Sequence, residues 1–338
     1  MKDKTRTSIA WIALFSLIAG LAAISLYPLF KSDERKDEVK TRSLQKSIVR
    51  ALKKKEEKLF PKGEYTVTFS QKEGYWFTTA LVSDRDLIRL CQEKDVDRLM
   101  MRYCEITAAG YARLKQEPLV DLILFKPHLN NEIIKTISSF SGLKALTIRD
   151  NKRINDELIK HLTGPASLEK LNVKNTRIGD EGLDHVAATF PSLKVLDLRA
   201  CRRVSPRGLS YLSRLKALDD LNLSNIEIKM DGIKELARLK NLHKLGLVSC
   251  IIDDRKLLVL KDLPLKDLDL SENPLTNKSL EILASIKSLK ELKLRYCPSI
   301  EKAAVINFNR RRPAIEVYWS REVEPKRAED FFESPGHK

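Results

Sequence analysis

The feature that most constrains the fold of this chain is a leucine pattern that occurs nine times. Each copy has the spacing L-x-x-L-x-L, with Val, Ile or Met in place of some leucines. The middle leucines of successive copies are 23, 24, 25, 25, 25, 24, 23 and 24 residues apart, beginning at Leu99 and ending at Leu292. A unit this short cannot bury its apolar side alone. The period therefore predicts stacked repeats that share one continuous core.

The position three residues beyond the last leucine of each copy gives a second regularity. It reads Cys104, Pro127, Asn151, Thr176, Cys201, Ile226, Cys250, Asn273 and Cys297, so six of nine copies have Cys or Asn. This pattern resembles the leucine-rich repeat family, whose units carry L-x-x-L-x-L-x-x-N/C. The 24–25-residue repeats are similar to the bacterial and cysteine-containing types. We expect Pro127 and Ile226, which depart from the pattern, to distort their turns.

The resemblance implies an α/β leucine-rich repeat solenoid with a parallel concave sheet and helices on the convex side. After the Cys/Asn position, stretches such as IGDEGLDHVAATF (178–190) have the apolar spacing of a short helix. We predict the repeats at 91–312 and an N-terminal cap at 61–90, which includes a hairpin over 65–82. Residues 313–338 are predicted to form a C-terminal cap strand and a loose tail.

The cysteines and histidines give no indication of a reactive site. Four of the five cysteines share the repeat position, and the nearest two, Cys201 and Cys250, are two repeats apart. Parallel strands at about 4.8 Å spacing separate them by roughly 10 Å, beyond the ~7 Å reach of a disulfide. We therefore expect free, buried thiols. With scattered histidines and no phosphate-binding glycine loop, we predict a non-catalytic protein without metal, cofactor or small-molecule substrate.

An uncharged run near the N-terminus predicts a membrane anchor. Residues 7–30 carry no charge, which is long enough for a helix to cross about 30 Å of hydrocarbon. We predict a short basic tail at 1–7, a transmembrane helix at 8–30 and a charged juxtamembrane helix or linker at 31–60, with a cleaved signal as the alternative. The basic tail favours extracytoplasmic repeats, whereas the Lys/Arg count after the span and the free thiols favour the cytoplasm. We expect the extracytoplasmic side.

Charge on the concave face predicts a binding surface. The formal net charge of +16 indicates an anionic partner. Side chains that follow the last leucine of each copy point out of the sheet, and they are basic in the early repeats. Acidic residues appear on the same face in later repeats. The predicted partner-binding residues, including three from the adjoining turns, are Arg102, Phe125, Arg149, Lys174, Arg177, Arg199, Arg202 and Arg203.

Together these features predict a membrane-anchored, non-catalytic module that binds a protein with an acidic patch through its concave face. An alternative is electrostatic binding of a polyanion, such as nucleic acid, an anionic glycan or an acidic lipid. Aromatic residues for base stacking are sparse, which disfavours single-stranded nucleic acid. A further alternative is a ubiquitin-ligase substrate-recognition subunit like the F-box repeat proteins, although residues 31–90 show no F-box-like segment.

Overall fold

The computed structural model describes residues 67–70, 74–78, 82–93, 95–102 and 104–321. These residues belong to a single compact unit. The predicted basic tail (1–7), transmembrane helix (8–30) and juxtamembrane segment (31–60) lie outside the described residues, as does the predicted tail from 322 onward. Within the described residues, every helix is too short or too polar to cross a membrane.

The described residues contain one twelve-stranded sheet whose strands lie side by side in sequence order. The first two strands pair antiparallel, and each later strand is parallel to the one before it. The strands are β1 (Val67–Ser70), β2 (Tyr75–Thr78), β3 (Arg98–Arg102), β4 (Asp121–Phe125), β5 (Ala145–Arg149), β6 (Lys170–Asn172), β7 (Val195–Asp197), β8 (Asp220–Asn222), β9 (Lys244–Gly246), β10 (Asp267–Asp269), β11 (Glu291–Arg295) and β12 (Glu316–Ser320). The predicted parallel repeat architecture is confirmed.

Every connection between parallel strands from β2 to β12 contains one α-helix. The helices are α1 (Asp84–Glu93), α2 (Ala108–Arg113), α3 (Asn131–Ser138), α4 (Asp156–Ile159), α5 (Asp180–Thr189), α6 (Pro206–Tyr211), α7 (Met230–Leu236), α8 (Asp254–Leu260), α9 (Asn277–Ser285) and α10 (Lys302–Arg311). Short 3-10 turns follow α2 (Leu114–Gln116) and α6 (Leu212–Arg214). Polar side chains such as Asn155 and Thr276 accept hydrogen bonds from the first-turn N–H groups of α4 and α9, which fixes where those helices begin.

The leucine pattern forms the core between the sheet and the helices. All nine middle leucines of the repeats are at most 1% exposed. In β5, Leu146 and Ile148 are buried, whereas Ala145, Thr147 and Arg149 between and beside them are partly exposed. This alternation is the period of two expected of a strand with one buried face. The face of the sheet that points away from the helices is called the open face below.

A tight turn follows each strand from β4 to β11 and sets the direction of the chain toward the next helix. The residue before the Cys/Asn position has a left-handed backbone in each of these repeats, from Lys126 (φ 46°) to Tyr296 (φ 59°). The Cys/Asn side chain then bonds the preceding repeat: Cys201 Sγ donates to the Val173 carbonyl at 3.1 Å, and Asn273 Nδ2 donates to that of Leu247 at 2.7 Å. The expectation that Pro127 and Ile226 distort their turns is wrong, because the residues before them keep the same left-handed conformation.

In four repeats, one polar residue at the end of the strand limits the length of that strand. Strands β6, β7, β8 and β10 have three residues and end at an Asn or Asp, namely Asn172, Asp197, Asn222 and Asp269. In each, a side-chain oxygen accepts a hydrogen bond from the backbone N–H two residues later, at 3.0–3.1 Å. This local bond replaces a ladder bond and ends the regular strand. These polar side chains therefore have a structural task as well as a place on the open face.

Candidate interaction surface

The open face divides by charge into two halves. On the early half (β3–β7) lie six cations and two carboxylates: Arg98, Arg102, Arg149, Lys170, Lys174 and Arg199, with Asp121 and Asp197. On the late half (β8–β12) lie three cations and five carboxylates: Lys244, Lys293 and Arg295, with Asp220, Asp267, Asp269, Glu291 and Glu316. Cations therefore outnumber carboxylates on the early half, and carboxylates outnumber cations on the late half.

The last residues of β3, β4 and β5 bring three of the predicted residues together. Arg102, Phe125 and Arg149 are direct neighbours in the parallel register. The guanidinium carbons of Arg102 and Arg149 lie 4.7 and 4.0 Å from the centre of the Phe125 ring. Each contact is within the range of a cation–π interaction. The aromatic ring thus holds two cations of the early half at fixed positions.

An apolar cluster lies beside this stack on the open face. Tyr75, Met100 and Ile123 are buried, and the partly exposed Phe125 packs against them. Their positions in β2, β3 and β4 point away from the helices, so the cluster is separate from the main core. The early half therefore combines an apolar centre with surrounding cations. Phe125 was predicted from its position in the repeat, but Tyr75, Met100 and Ile123 were not. An apolar residue in a strand is usually expected to be buried in the main core.

The Arg149 side chain is the most confined cation of the early half. Burial lowers the pKa of its guanidinium, an effect that Asp150 opposes and that the nearby charges of Arg199 and Arg102 reinforce. Arg149 Nε lies 3.7 Å from the Asp150 carboxylate, and this buried nitrogen has no hydrogen-bond acceptor among the described residues. A partly desolvated cation crowded by like charge gains most from an additional anion.

Arg199 continues the row one repeat beyond Lys174, but a carboxylate lies against it. Arg199 Nε donates to both carboxylate oxygens of Asp197, at 3.1 and 2.9 Å, and its Nη2 donates to one of them at 2.7 Å. The equivalent repeat positions predicted a row of cations at Arg149, Lys174 and Arg199, but that prediction left out Asp197, which precedes Arg199 by two residues. Residues two apart lie on the same face of an extended chain, so this spacing could have indicated the pair.

The other three predicted residues lie outside the row. Arg177, Arg202 and Arg203 are exposed and belong to the turns that lead from the sheet to the helices. Backbone bridges place Arg177 beside Asn155 and Arg203 beside Gly179 in this edge region. Arg202 lines a surface depression of about 460 Å³ together with Ile226 and Ile251. The predicted residues thus form a row of five on the open face and three cations on its adjoining edge.

The late half partly neutralises its own negative charge, because cations and carboxylates alternate across its strands. Lys244 Nζ lies between two carboxylates, 3.9 Å from Asp220 and 3.3 Å from Asp267. On β11, Lys293 pairs with Glu291 at 2.8 Å. Burial raises the pKa of Asp220 to about 6, although Lys244 lowers it and the neighbouring Asp267 raises it further. The carboxylates of this half are therefore partly compensated by cations of the chain.

The thiols of the Cys/Asn position are not arranged as nucleophiles or ligands. Cys104, Cys201, Cys250 and Cys297 are buried and free of disulfides. Burial raises the pKa of Cys250 to about 11 and also raises that of Cys201, whereas a reactive thiol needs a lowered pKa. Among the described residues, no cluster of three or more His, Cys, Asp or Glu side chains is placed to hold a metal.

Comparisons with known proteins agree with this architecture. A family model described as a leucine-rich repeat matches residues 165–187. An internalin from Listeria monocytogenes is similar in structure, with 20% identity, a TM-score of 0.49 and an alignment covering 69% of each chain. A chain from the Rad7–Elc1 complex of yeast is also similar, with 16% identity, a TM-score of 0.54 and coverage of 69% of this chain and 65% of that chain. No curated protein matches the sequence.

Proposed function

We propose that this chain, a leucine-rich repeat protein by its fold and its repeat match, is a non-catalytic module that binds another protein through the early half of its open face. The observation that carries the proposal is the stack of Arg102, Phe125 and Arg149 beside the buried cluster of Tyr75, Met100 and Ile123. Arginine and aromatic side chains around an apolar centre are the composition typical of energetically dominant interface residues.

The partner is expected to present an acidic segment. Arg149 is buried enough for its pKa to fall, and the cations near it add to the positive potential. A carboxylate that approaches this row can form charge-assisted hydrogen bonds without a large reorganisation of the arginines, because Phe125 already orders two of them. The late half repels such a segment, so charge sets the position of the partner along the sheet.

Polyanion binding is the second candidate, and the geometry of Phe125 disfavours single-stranded nucleic acid as the polyanion. Single-stranded nucleic acid binders stack bases on exposed aromatic rings. Here guanidinium groups lie over the Phe125 ring at 4.0 and 4.7 Å. Affinity for a polyanion should fall steeply and log-linearly with salt. A protein interface with an apolar centre should lose much less affinity over the same range of salt.

The direct test compares charge reversal on the two halves. After proximity labelling with the full chain has identified a partner, its affinity is measured for Arg149→Glu/Lys174→Glu/Arg199→Glu. The matched control, Lys244→Glu/Lys293→Glu/Arg295→Glu, makes the same change in net charge on the late half. We expect a loss of roughly 100-fold or more for the first variant, because several close charge pairs are reversed, and a much smaller change for the control.

Two results would contradict the proposal: unchanged affinity in the early-half variant, or equal losses in both variants. Because glutamate at 199 would lie beside Asp197, a milder variant protects the test against misfolding. Arg149→Gln/Lys174→Gln removes two charges and leaves the Arg199–Asp197 pair intact. Circular dichroism establishes that each variant is folded before its affinity is measured.

The membrane anchor is a separate part of the proposal and rests on the sequence of residues 8–30. We propose a single span, with the repeats on the extracytoplasmic side because the basic tail at 1–7 is costly to translocate. Protease added to intact cells or spheroplasts should digest the repeats. Protection that is lost only on permeabilisation would place the repeats in the cytoplasm instead.

A further inference from the structure

The last strand of the sheet has an edge that no described residue covers. Strand β12 pairs with β11 and lies at the end of the strand order. Glu316 donates its N–H to the Lys290 carbonyl at 2.7 Å, and the Ser320 carbonyl accepts from the Tyr296 N–H at 2.8 Å. Successive residues of a strand direct their backbone groups to opposite sides. The N–H and C=O groups of Val317 and Trp319 therefore point to the outer edge.

Among the described residues, the core is also less completely covered at this end. On β11, Leu292 and Leu294 are fully buried. The equivalent side chains on β12, Val317 and Trp319, pack against the same core but remain partly exposed. The indole N–H of Trp319 is buried and has no acceptor among the described residues, which costs free energy.

An exposed apolar side chain on the last helix extends this surface. Ile306 of α10 is 44% exposed. The salt bridge between Arg311 and Glu281 identifies the side of α10 that contacts α9. Ile306 precedes Arg311 by five residues, or about 140° around the helix. It therefore lies away from α9, on the same end of the repeat array as the free edge of β12.

We propose that β12 pairs antiparallel with β12 of a second copy of this chain, about a two-fold axis at Tyr318. In this register Val317 of one copy lies opposite Trp319 of the other, and both residues direct their backbone groups outward. In each of the two Val317–Trp319 pairs, the N–H of either residue donates to the carbonyl of the other. The sheets of the two copies then join into one continuous sheet. It also places the side chains of Val317 and Trp319 against each other, a favourable combination of β-branched and aromatic residues.

The strand itself favours a second copy as the occupant. Natural edge strands are protected from pairing by charged side chains (especially Lys), Pro or a bulge. The sequence EVYWS of β12 has no Lys or Pro, and its one charged residue, Glu316, is at the start of the strand. A two-fold axis satisfies both edges with a single type of contact and then closes, as in most homo-oligomers. Pairing of β12 with the outer edge of β1 would instead generate open-ended polymers.

The remainder of the chain is a poor occupant by composition. Residues 322–338 include Pro325 and Pro335 and five acidic residues. Proline has no N–H for a ladder, and Asp, Glu and Pro are depleted in strands. A covering strand from this segment would need several consecutive ladder bonds. The sequence of β12 meets that requirement with β-branched and aromatic residues, whereas the proline-free stretch 326–334 includes three acidic residues.

Cysteine cross-linking of the full chain in mild detergent tests the axis. Residues on a two-fold axis in a non-hydrogen-bonded position have Cα atoms about 4.5 Å apart, within reach of a disulfide. Tyr318→Cys should therefore give a disulfide-linked dimer on a non-reducing gel. Glu316→Cys is the matched control, because the two copies of residue 316 would be about 13 Å apart along the strands. Wild-type protein sets the background from the native cysteines.

A second variant tests the hydrogen bonds without disturbing β11. Val317→Pro removes an outward N–H and leaves the Glu316 bond to Lys290 in place. Light scattering at tens of micromolar should show a dimer for wild type and for the control Val317→Thr, and a monomer for Val317→Pro with an unchanged circular dichroism spectrum. A monomeric wild type, or equal cross-linking of the two cysteine variants, would overturn the proposal. A dimer that forms only after truncation at Arg321 would assign the edge to the chain's own tail.

Discussion

The two halves of the open face use the same backbone to reach opposite electrostatic results. In the early half, Arg102 and Arg149 lie against Phe125, and their like charge accumulates. In the late half, Lys244 lies between Asp220 and Asp267, so opposite charges alternate from strand to strand. Neighbouring strands are about 4.8 Å apart, close enough for each side chain to affect the next. The order of charges across strands, rather than the overall charge of +16, therefore determines where positive charge is concentrated on this face.

The largest effect on the free energy of unfolding is expected at Asp197, a carboxylate on the mainly cationic early half. The side chains of Arg199 and Asp197 are 21% and 12% exposed, so Asp197→Ala leaves a largely shielded guanidinium without this partner. We expect a loss of about 2–3 kcal/mol in the free energy of unfolding, below the full cost of breaking a buried pair because some water remains. The matched deletion, Asp267→Ala, removes a partner of Lys244, which is 53% exposed, and should cost less than about 1 kcal/mol. Chemical denaturation measures both.

A conservative variant separates charge from backbone support at this position. Asp197→Asn keeps an oxygen that can accept a hydrogen bond from the Arg199 backbone N–H. Asn172 and Asn222 accept the equivalent bonds from the backbone N–H groups of Lys174 and Ser224. Its loss should be smaller than that of Asp197→Ala. Losses of equal size for Asp197→Ala and Asp267→Ala would show that the two halves do not differ in this respect.

An intermediate effect, dependent on pH, is expected in the late half. The pKa of Asp220 is raised to about 6, first by burial, whereas an unfolded Asp titrates near 3.9. The stabilisation from its bound proton is complete below about pH 4 and is lost as the pH rises through about 6. Asp220→Asn should therefore raise the free energy of unfolding at pH 7 by about 1 kcal/mol, since the partly solvated carboxylate is screened.

The difference between Asp220→Asn and wild type should shrink as the pH falls toward 4. Unfolding curves of the two proteins between pH 4 and pH 8 provide the measurement, and other carboxylates cancel in the comparison. A variant less stable than wild type at pH 7 would mean that the pairing with Lys244 outweighs the burial of Asp220.

The smallest effect concerns the aromatic ring that each half places near two cations. Phe125 lies 4.7 and 4.0 Å from its guanidinium groups, whereas Tyr318 lies 5.9 Å from Lys293 and 5.7 Å from Arg295. We expect Phe125→Leu to cost about 0.5 kcal/mol in the free energy of unfolding and Tyr318→Leu less than that. A double-mutant cycle of Phe125→Leu with Arg149→Met isolates the contact from packing. A coupling energy near zero would show that the ring does not stabilise the cation.

The sequence predicted the repeat fold because one physical requirement, burial of a leucine face, recurs at a fixed period. Leu171, Leu196 and Leu221 occupy equivalent buried positions for that reason. The lengths of the strands could not be predicted in the same way. They depend on whether a side chain such as Asn172 bonds its own backbone or leaves that N–H to the ladder, a competition that the leucine spacing does not reveal.

The candidate site was predictable as a row but not as a set of contacts. The strand register placed Arg102, Phe125 and Arg149 side by side, as their equivalent positions in the repeats indicated. The spacing of two residues could have indicated the pair of Arg199 with Asp197, but the burial of that pair depends on packing within the folded face. The position of Arg177 on the edge depends on the path of the turn. Repeat spacing determines which backbone positions are neighbours, and the surroundings of each side chain determine which contacts it makes.

The hydrogen bonds from the Cys/Asn position have a consequence for the whole array, because those donated to another repeat go to the preceding one. Cys250 Sγ donates to the Leu223 carbonyl at 3.3 Å, and Asn273 reaches that of Leu247. In an array whose repeats contact only their nearest neighbours, a change in one repeat has little effect on distant repeats. Duplication or deletion of a whole repeat between the two halves should then leave the fold of the other repeats unchanged. Each added or removed repeat would change the distance between the early and late charges by about 4.8 Å. The side chains of the two halves would stay the same.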